Sequence, residues 1–399
     1  MTSVVGAGDG TLSNGIYKSL APGAKVVLLK VTDEQGAITG ENITKAIEWA
    51  IRNQKKYNIR VLNLSVTDDW STSYRENAVD LAIEKAVKAG IVVVVAAGND
   101  ENAYLKAPAN SPHAISVGGL DDQNTLHALA YNLYHSTFGN TIDGIHKPDV
   151  LAPAIWIPAP ILPATNAQKD ASVLFDLVQT QEDRYLQAKF ANVLAQLGLD
   201  KKLTNEPADV IRQALEEEIG NRKLISAHYQ HADGTSFAAP IVSSLVVQLL
   251  EANPTLTPAG VRNILTQTAR KLPNVSAERQ GFGVVHPLSA VYEAEIVHSD
   301  LPVHFTPIIN YRLQTIEFSL HQHAAETVTT TGDFTNWNQE GISLQPLSNG
   351  IWKTCYKFLP KGEYRYKFII NETEWIPDPT NLLRELDGFG GFNSKLIIE

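Results

Sequence analysis

Ser236 stands where a hydroxyl can act as a nucleophile. Gly234-Thr235 forms a glycine turn, and the apolar run from Ser236 to about Ala252 reads as a helix, so the hydroxyl falls at a helix N-terminus. The free backbone N–H groups and the macrodipole at such an end support negative charge building on a reacting carbonyl oxygen. Ala238 and Ala239 permit close packing, and Pro240 is expected in the first turn, where its missing N–H is not needed. Taken alone, Gly-Thr-Ser is a weak signal, because Ser or Thr is an ordinary N-cap.

Serine attack also needs a base, and the base needs an orienting carboxylate. The first histidine in the chain is His113. His228 and His231 precede Ser236 closely and read as polar loop residues, while Asp233 beside Gly234 reads as a turn residue. A single cysteine, Cys355, excludes an internal disulfide, and no His/Cys/Asp group shows metal-ligand spacing.

The elements that must position Ser236 follow from periodicity. Lys25–Val31, Arg60–Ser65, Ile91–Ala97 and His113–Gly118 are apolar runs that read as buried strands. Between them, Ile43–Asn53 and Asn77–Lys88 carry apolar residues on one helical face, the second closing at Gly90. Strands apolar on both faces and separated by helices predict a parallel sheet covered on both sides. After the strand-like Pro148–Pro153, residues 159–227 read as a helical insertion of two helices, Ala167 to about Leu197 and Pro207 to about Ile219. A further helix is expected from Pro258 to about Arg270.

Beyond residue 300 helical periods give way to short strands: Ile316–Leu320, Glu326–Thr330, Trp352–Tyr356, Tyr364–Ile370 and Lys395–Ile398. They predict an immunoglobulin-like β-sandwich over 305–399, with a boundary near 298–305 and an α/β domain over 1–298.

Hydrophobic residues make up 44% and charged residues 19%, which describes a globular chain. A net charge of −10 disfavours a nucleic-acid backbone as partner. No uninterrupted apolar run reaches membrane-spanning length, so no membrane partner is expected, and Met1–Gly6 lacks the pattern of a signal peptide.

The full heptapeptide Gly234-Thr235-Ser236-Phe237-Ala238-Ala239-Pro240 resembles the nucleophile motif of the subtilisin-like serine proteases. Val94-Val95-Ala96-Ala97-Gly98-Asn99 is similar to the strand that ends in that family's oxyanion-hole asparagine. Leu20–Lys25, Val61–Ser65, Lys147–Pro153 and Gly281–Pro287 resemble further landmarks in the same order, so the likeness covers about residues 1–295 around the insertion. It implies a three-layer α/β fold, a polypeptide substrate, acyl-enzyme hydrolysis through Ser236 and an oxyanion held by Asn99. It also implies an extended peptide flanked by Ser65-Val66-Thr67 and by Ala96-Ala97-Gly98. No cofactor is implied; structural calcium is common in the family but maps to no residues here. Secretion is the family's usual location.

In that family the histidine opens a helix as His-Gly-Thr. Met1-Thr2-Ser3-Val4-Val5-Gly6-Ala7-Gly8 resembles the sequence that follows that motif, and Met1 is the only methionine. The expectation is therefore an N-terminally truncated domain beginning three residues beyond the catalytic histidine, lacking the Asp strand and the histidine, and close to inactive as written.

Thr331–Trp337, Gly350–Trp352, Gly362–Phe368 and Trp375–Pro379 form an ordered series. It resembles the glycogen-binding sandwich of AMP-activated kinase β subunits and starch-branching enzymes. That likeness implies α-glucan binding by Trp337, Lys367, Trp375 and Asn393, whereas Trp352 and Tyr364 fall at strand positions and read as core. A subtilase-like scaffold carrying such a module, without catalysis, is the alternative.

Overall fold

The computed structural model describes residues 2–68, 70–125, 127–296, 305–347 and 350–398. The chain divides into two compact units, one of residues 1–26 and 155–233, the other of 27–154 and 234–399.

The second unit is built on a parallel sheet of Val61–Leu64, Val92–Ala96, Ile115–Asp121 and Val150–Pro153, with a short antiparallel strand, Asn132–Leu133, at the end of the third. Val61 pairs with Val92, Val94 with Ile115 and Val117 with Val150. All five residues of Val92–Ala96 are buried. β-Branched side chains suit a strand covered on both faces, and each contributes roughly 1.5–3 kcal/mol by leaving water.

One face carries Val93 and Val95 against the helices Gly40–Tyr57 and Ala78–Lys88 through Ile43, Ile47, Val79, Ile83 and Ala86. Thr39 and Asn77 cap these helices by accepting from backbone N–H groups. The other face lies beneath the helix Thr235–Ala252, which packs on all four parallel strands. That helix is long and apolar enough to cross a membrane by composition, yet 61% of it is buried in the protein as the central core helix. The helix Pro258–Thr268 ends two residues short of the expected Arg270.

Lys25–Val31 departs from expectation. It forms no strand, and Val26, Val27 and Leu28 are 50%, 42% and 73% exposed. An all-apolar strand is stable only between two ladder partners, and among the described residues this segment has none beyond the single Thr32–Ile38 bridge at its end.

The whole of the insertion lies in the first unit. Its helices number three where two were expected: Asn166–Gln179, Asp183–Leu197 and Ala208–Asn221, around Leu174, Leu186, Phe190, Ile211 and Leu215. The extra break falls at 180–182, where the Arg212 guanidinium donates to the carbonyls of Thr180 and Gln181 and so satisfies helix-end acceptors. His231 belongs to a strand, Tyr229–Ala232, paired with Ile157–Pro160, and not to a loop.

The C-terminal part of the second unit is the expected sandwich. A four-stranded sheet with Thr315–His321 and Ile351–Lys357 at its centre faces a larger sheet built on Val328–Gly332, Gly362–Ile370 and Phe392–Ile398. Phe318, Tyr366, Phe368, Trp352 and Leu396 fill the space between, with Tyr364 packed at its margin. The boundary expected near 298–305 falls largely outside the described residues. Past it, Phe305 packs edge-on against His113 at 4.6 Å, and Thr306 donates to the buried Asp378 at 2.7 Å.

A buried ionic cluster also lies in this unit. Asp149 accepts from Arg262 at 2.6 Å, from Lys147 at 2.8 Å and from the Ser116 N–H at 2.9 Å. Arg384, on the sandwich strand Arg384–Leu386, lies 3.5 Å from Asp149 and donates to the carbonyls of His146 and Pro148. Its guanidinium sits over the rings of Phe282 and Phe392. Burial alone would raise the Asp149 carboxyl, but Arg262, Lys147 and Arg384 hold it well below the usual carboxylate range. Burial draws the Lys147 ammonium down to about 8 despite Asp149.

Candidate active site

Gly234 supplies the turn that delivers Ser236. Its φ of 131° is open to glycine alone, and a Cβ there would press within 3.4 Å of the Asn99 amide. The Gly234 N–H donates to the Ala154 carbonyl at 2.7 Å, fixing the turn to the end of strand Val150–Pro153. The helix then begins at Thr235, one residue before expectation.

Asn99 follows the strand Val92–Ala96 and meets this turn. Its Oδ1 accepts from the Thr235 backbone N–H at 2.8 Å and from the Thr235 hydroxyl at 3.0 Å. A backbone N–H can only donate, so the acceptor oxygen must face Thr235 and the amide NH2 is turned away from it. Asn99 is exposed and Ser236 half-buried. As the second residue of the helix, Ser236 also has a backbone N–H without an intrahelical acceptor. The Asn99 amide and the Ser236 N–H are two donors suited to one oxyanion.

Gly98 brings the two segments together. A Cβ on it would lie 2.5 Å from the Thr137 hydroxyl. Its carbonyl accepts from the Thr137 N–H and from the Thr235 hydroxyl, each at 3.2 Å. On the outer side, His135 Nδ1 is bonded to the Asn99 carbonyl at 2.8 Å. Nδ1 is therefore the protonated nitrogen, since a carbonyl can only accept. Neither His135 nor Thr137 carried a signal in the sequence, because each acts through tertiary contact alone.

Pro240 is the sixth residue of the helix and lies beyond the first turn expected for it. Its missing N–H leaves the Ser236 carbonyl without the normal i+4 donor. Ser65 fills that place: its hydroxyl donates to the Ser236 carbonyl at 2.9 Å. Asn63 donates in turn to Ser65 at 3.2 Å and accepts from Ser243, one face further along the helix, at 3.0 Å. The Ser65 side chain thus holds the Ser236 backbone. Val66 turns to the opposite face and packs into the helix-covered core, and Thr67 is exposed.

At Ala96-Ala97-Gly98 several main-chain groups are already engaged. The Ala97 N–H donates to Val117, and both polar groups of Gly98 are bonded to Thr235 or Thr137. Within the second unit no described imidazole is hydrogen-bonded to the Ser236 hydroxyl. In the first unit, His231 Nδ1 bonds the Trp156 carbonyl at 2.9 Å. Asp233 there accepts from the Trp156 N–H and pairs with Lys223.

Of the four sandwich residues expected to meet sugar, Lys367, Trp375 and Asn393 lie on one sheet and Trp337 on a turn that leaves it. On Gly362–Ile370, Tyr364, Tyr366 and Phe368 face the core, so Lys367 and Ile369 face outward. Trp375 pairs with Ile369 and is 39% exposed, on the same outer surface. Asn393 alternates with the buried Phe392 and Ser394 on the neighbouring strand and is half-buried. Trp337 follows the turn Asp333–Thr335 with φ 55°, its indole N–H donating to Asp333 at 2.9 Å. Lys367 is paired with Asp387, a partner that sequence spacing did not suggest. Burial would raise the Asp387 carboxyl, but Lys367 and the N–H groups of Phe389 and Gly391 hold it below the usual range.

Comparison with known proteins places these features. The family model described as the subtilase family matches residues 1–283, and that of the glycogen recognition site of AMP-activated protein kinase matches residues 315–398. The chain is 26% identical over 294 residues to serine protease AprX of Bacillus subtilis (strain 168), covering 71% of this chain and 55% of that protein. It is 36% identical over 157 residues to subtilisin-like protease 2 of Trichophyton verrucosum, covering 37% of this chain and 34% of that protein. The chain therefore spans about half or less of the length of these curated relatives. Among solved structures, patellamide maturation protease PatA is similar at 19% identity and a TM-score of 0.48, over 74% of this chain and 82% of that one. Sphericase is similar at 19% identity and a TM-score of 0.47, over 71% and 76%.

Proposed function

The chain belongs to the subtilase family of serine-type peptidases, and on that premise we propose that Ser236 is the nucleophile of peptide-bond hydrolysis. The observation that carries this is the bond from Thr235 to Asn99 Oδ1, which orients the Asn99 amide beside the Ser236 turn. Ser236 Oγ would attack the scissile carbonyl carbon and lose its proton to a base. The carbonyl oxygen would become the oxyanion, receiving hydrogen bonds from Asn99 Nδ2 and the Ser236 N–H. Collapse would expel the amine and leave an acyl-serine, which water then hydrolyses. The extended substrate would pair with the backbone of Ser65-Val66-Thr67, with Ala97 and Gly98 forming the opposite wall.

A base and its carboxylate are required for turnover. Loss of the histidine costs about 2 × 10⁶ in kcat in subtilisin. A second reading, a non-catalytic subtilase-like scaffold bearing an α-glucan-binding module, is favoured by the lack, among the described residues of its unit, of an imidazole hydrogen-bonded to Ser236. Outer-face Trp375 and Asn393, with Trp337 at the preceding turn, would form the glucan surface. Secretion follows the family's habit.

Fluorophosphonate labelling separates the readings. On the hydrolase reading Ser236 should take the label, and Ser236→Ala should lose it. Failure of the parent chain to label would leave the scaffold reading in place.

A further inference from the structure

We infer that Glu293, His321 and His323 form a binding site for a zinc-type divalent cation that joins the helix Pro287–Ile296 to the sandwich strand Thr315–His321. One ligand atom from each of the three lies within 4.8 Å of the others. A tetrahedral zinc ion with bonds of about 2.0–2.2 Å sets its ligand atoms roughly 3.3–3.5 Å apart. Side-chain adjustments of about 1 Å therefore close the site around an ion, without backbone movement.

The donor set selects the metal. Two imidazoles and one carboxylate suit zinc and its neighbours, whereas calcium and magnesium are held by oxygen ligands. The carboxylate Oε1 of Glu293 is buried and has no hydrogen-bond partner among the described residues, a costly state for a polar atom unless something completes its coordination. One carboxylate and two neutral imidazoles leave a bound dication with net charge +1 and a fourth position for solvent.

The backbone that carries the ligands is fixed on both sides. Gln267 donates to the His321 carbonyl at 2.8 Å, Trp352 donates through its indole N–H to the Gln322 carbonyl at 3.0 Å, and the Gln322 N–H donates to Gly350 at 2.7 Å. The rings of His321 and His323 meet edge-on at 4.7 Å. Across from them, Ala290 and Ala294 of the helix are buried, and Asn253 donates to the Ala294 carbonyl at 3.2 Å. Ligands held on rigid elements lose little freedom on binding. The expected consequence is a lock between the last helix before the sandwich and the sandwich itself, independent of Ser236.

The test uses the full chain of residues 1–399, stripped with a chelator. Titration calorimetry with Zn²⁺ should show one ion per chain at micromolar affinity or tighter, and Co²⁺ should give visible absorption bands of a four- or five-coordinate nitrogen–oxygen site. Glu293→Gln, which keeps size and shape, and His323→Asn should each weaken Zn²⁺ binding by about 100-fold while leaving the circular dichroism spectrum unchanged. Zn²⁺ should raise Tm in the parent chain and not in Glu293→Gln. No stoichiometric uptake by the parent chain, or equal uptake in both variants, overturns the assignment.

Discussion

Around Ser236 and around Asp149 the same unit of the chain uses hydrogen bonds to opposite ends. At the serine turn each bond holds a group from behind. Thr235 holds the Asn99 oxygen and Ser65 holds the Ser236 carbonyl, while Asn99 is exposed and Ser236 half-buried. At Asp149 the carboxylate is 1% exposed and enclosed by Lys147, Arg262, Arg384 and a backbone N–H. On the proposed function, one arrangement orients donors for a charge that arrives during reaction; the other neutralises a charge that is always there. A pattern held from behind and open in front marks chemistry, and a closed one marks architecture.

The largest effect that would break this contrast is expected at Asp149. Asp149→Asn keeps the shape but leaves Lys147, Arg262 and Arg384 without a counter-charge, at a cost of about 3–5 kcal/mol of stability in urea titration. The pH dependence has a definite sign. Because the folded carboxyl is held far below its unfolded value of about 3.9, its contribution is complete above about pH 5. It is lost as the pH falls below that range, so the gap between parent and variant should narrow toward pH 2. A gap under about 1 kcal/mol at neutral pH, or one that does not narrow, would break the comparison.

Asn99 sharpens it from the other side. Asn99→Asp retains an oxygen for Thr235 but removes the amide donor. In whichever form of the enzyme labels at Ser236, kcat should fall by at least about 10²–10³, the loss seen for a single oxyanion donor. Tm should stay near that of the parent. Asn99→Ala should lower kcat comparably and also cost about 1–3 kcal/mol, because the Thr235 N–H loses its acceptor. Equal stability of the two variants would show that Asn99 does not hold the turn.

The parts that were legible in the sequence were those encoded in contiguous residues. Ile91–Ala97 announced a buried parallel strand, and the heptapeptide ending at Pro240 announced the serine turn. Contacts between distant segments were not legible. Nothing near Pro240 says that Ser65 will answer for its missing N–H. Glu293 stands far from His321 and His323 in sequence, so their meeting depends on how a helix and a strand pack. The helix break at 180–182 contains neither glycine nor proline, and its acceptors are satisfied by Arg212 from a later helix. Lys25–Val31 had the composition of a strand, but a strand also needs a neighbour, and composition is silent on that.

The outer face of the sandwich lies between the two patterns and gives the smallest expected effect. Lys367 is closed off by Asp387, and the Trp337 indole N–H is taken by Asp333, so neither presents an open donor. Trp375 is different: the residue is 39% exposed, pairs with Ile369, and can offer a flat apolar surface to a sugar ring. Stacking of that kind contributes about 1 kcal/mol, so Trp375→Ala should weaken glycogen binding about fivefold, read as faster migration in glycogen-containing affinity gels. Asp387→Asn should release the Lys367 ammonium and alter retardation less than Trp375→Ala does. Equal mobility of Trp375→Ala and the parent chain at every glycogen concentration would place this face with Asp149, as architecture, and remove it from the sites.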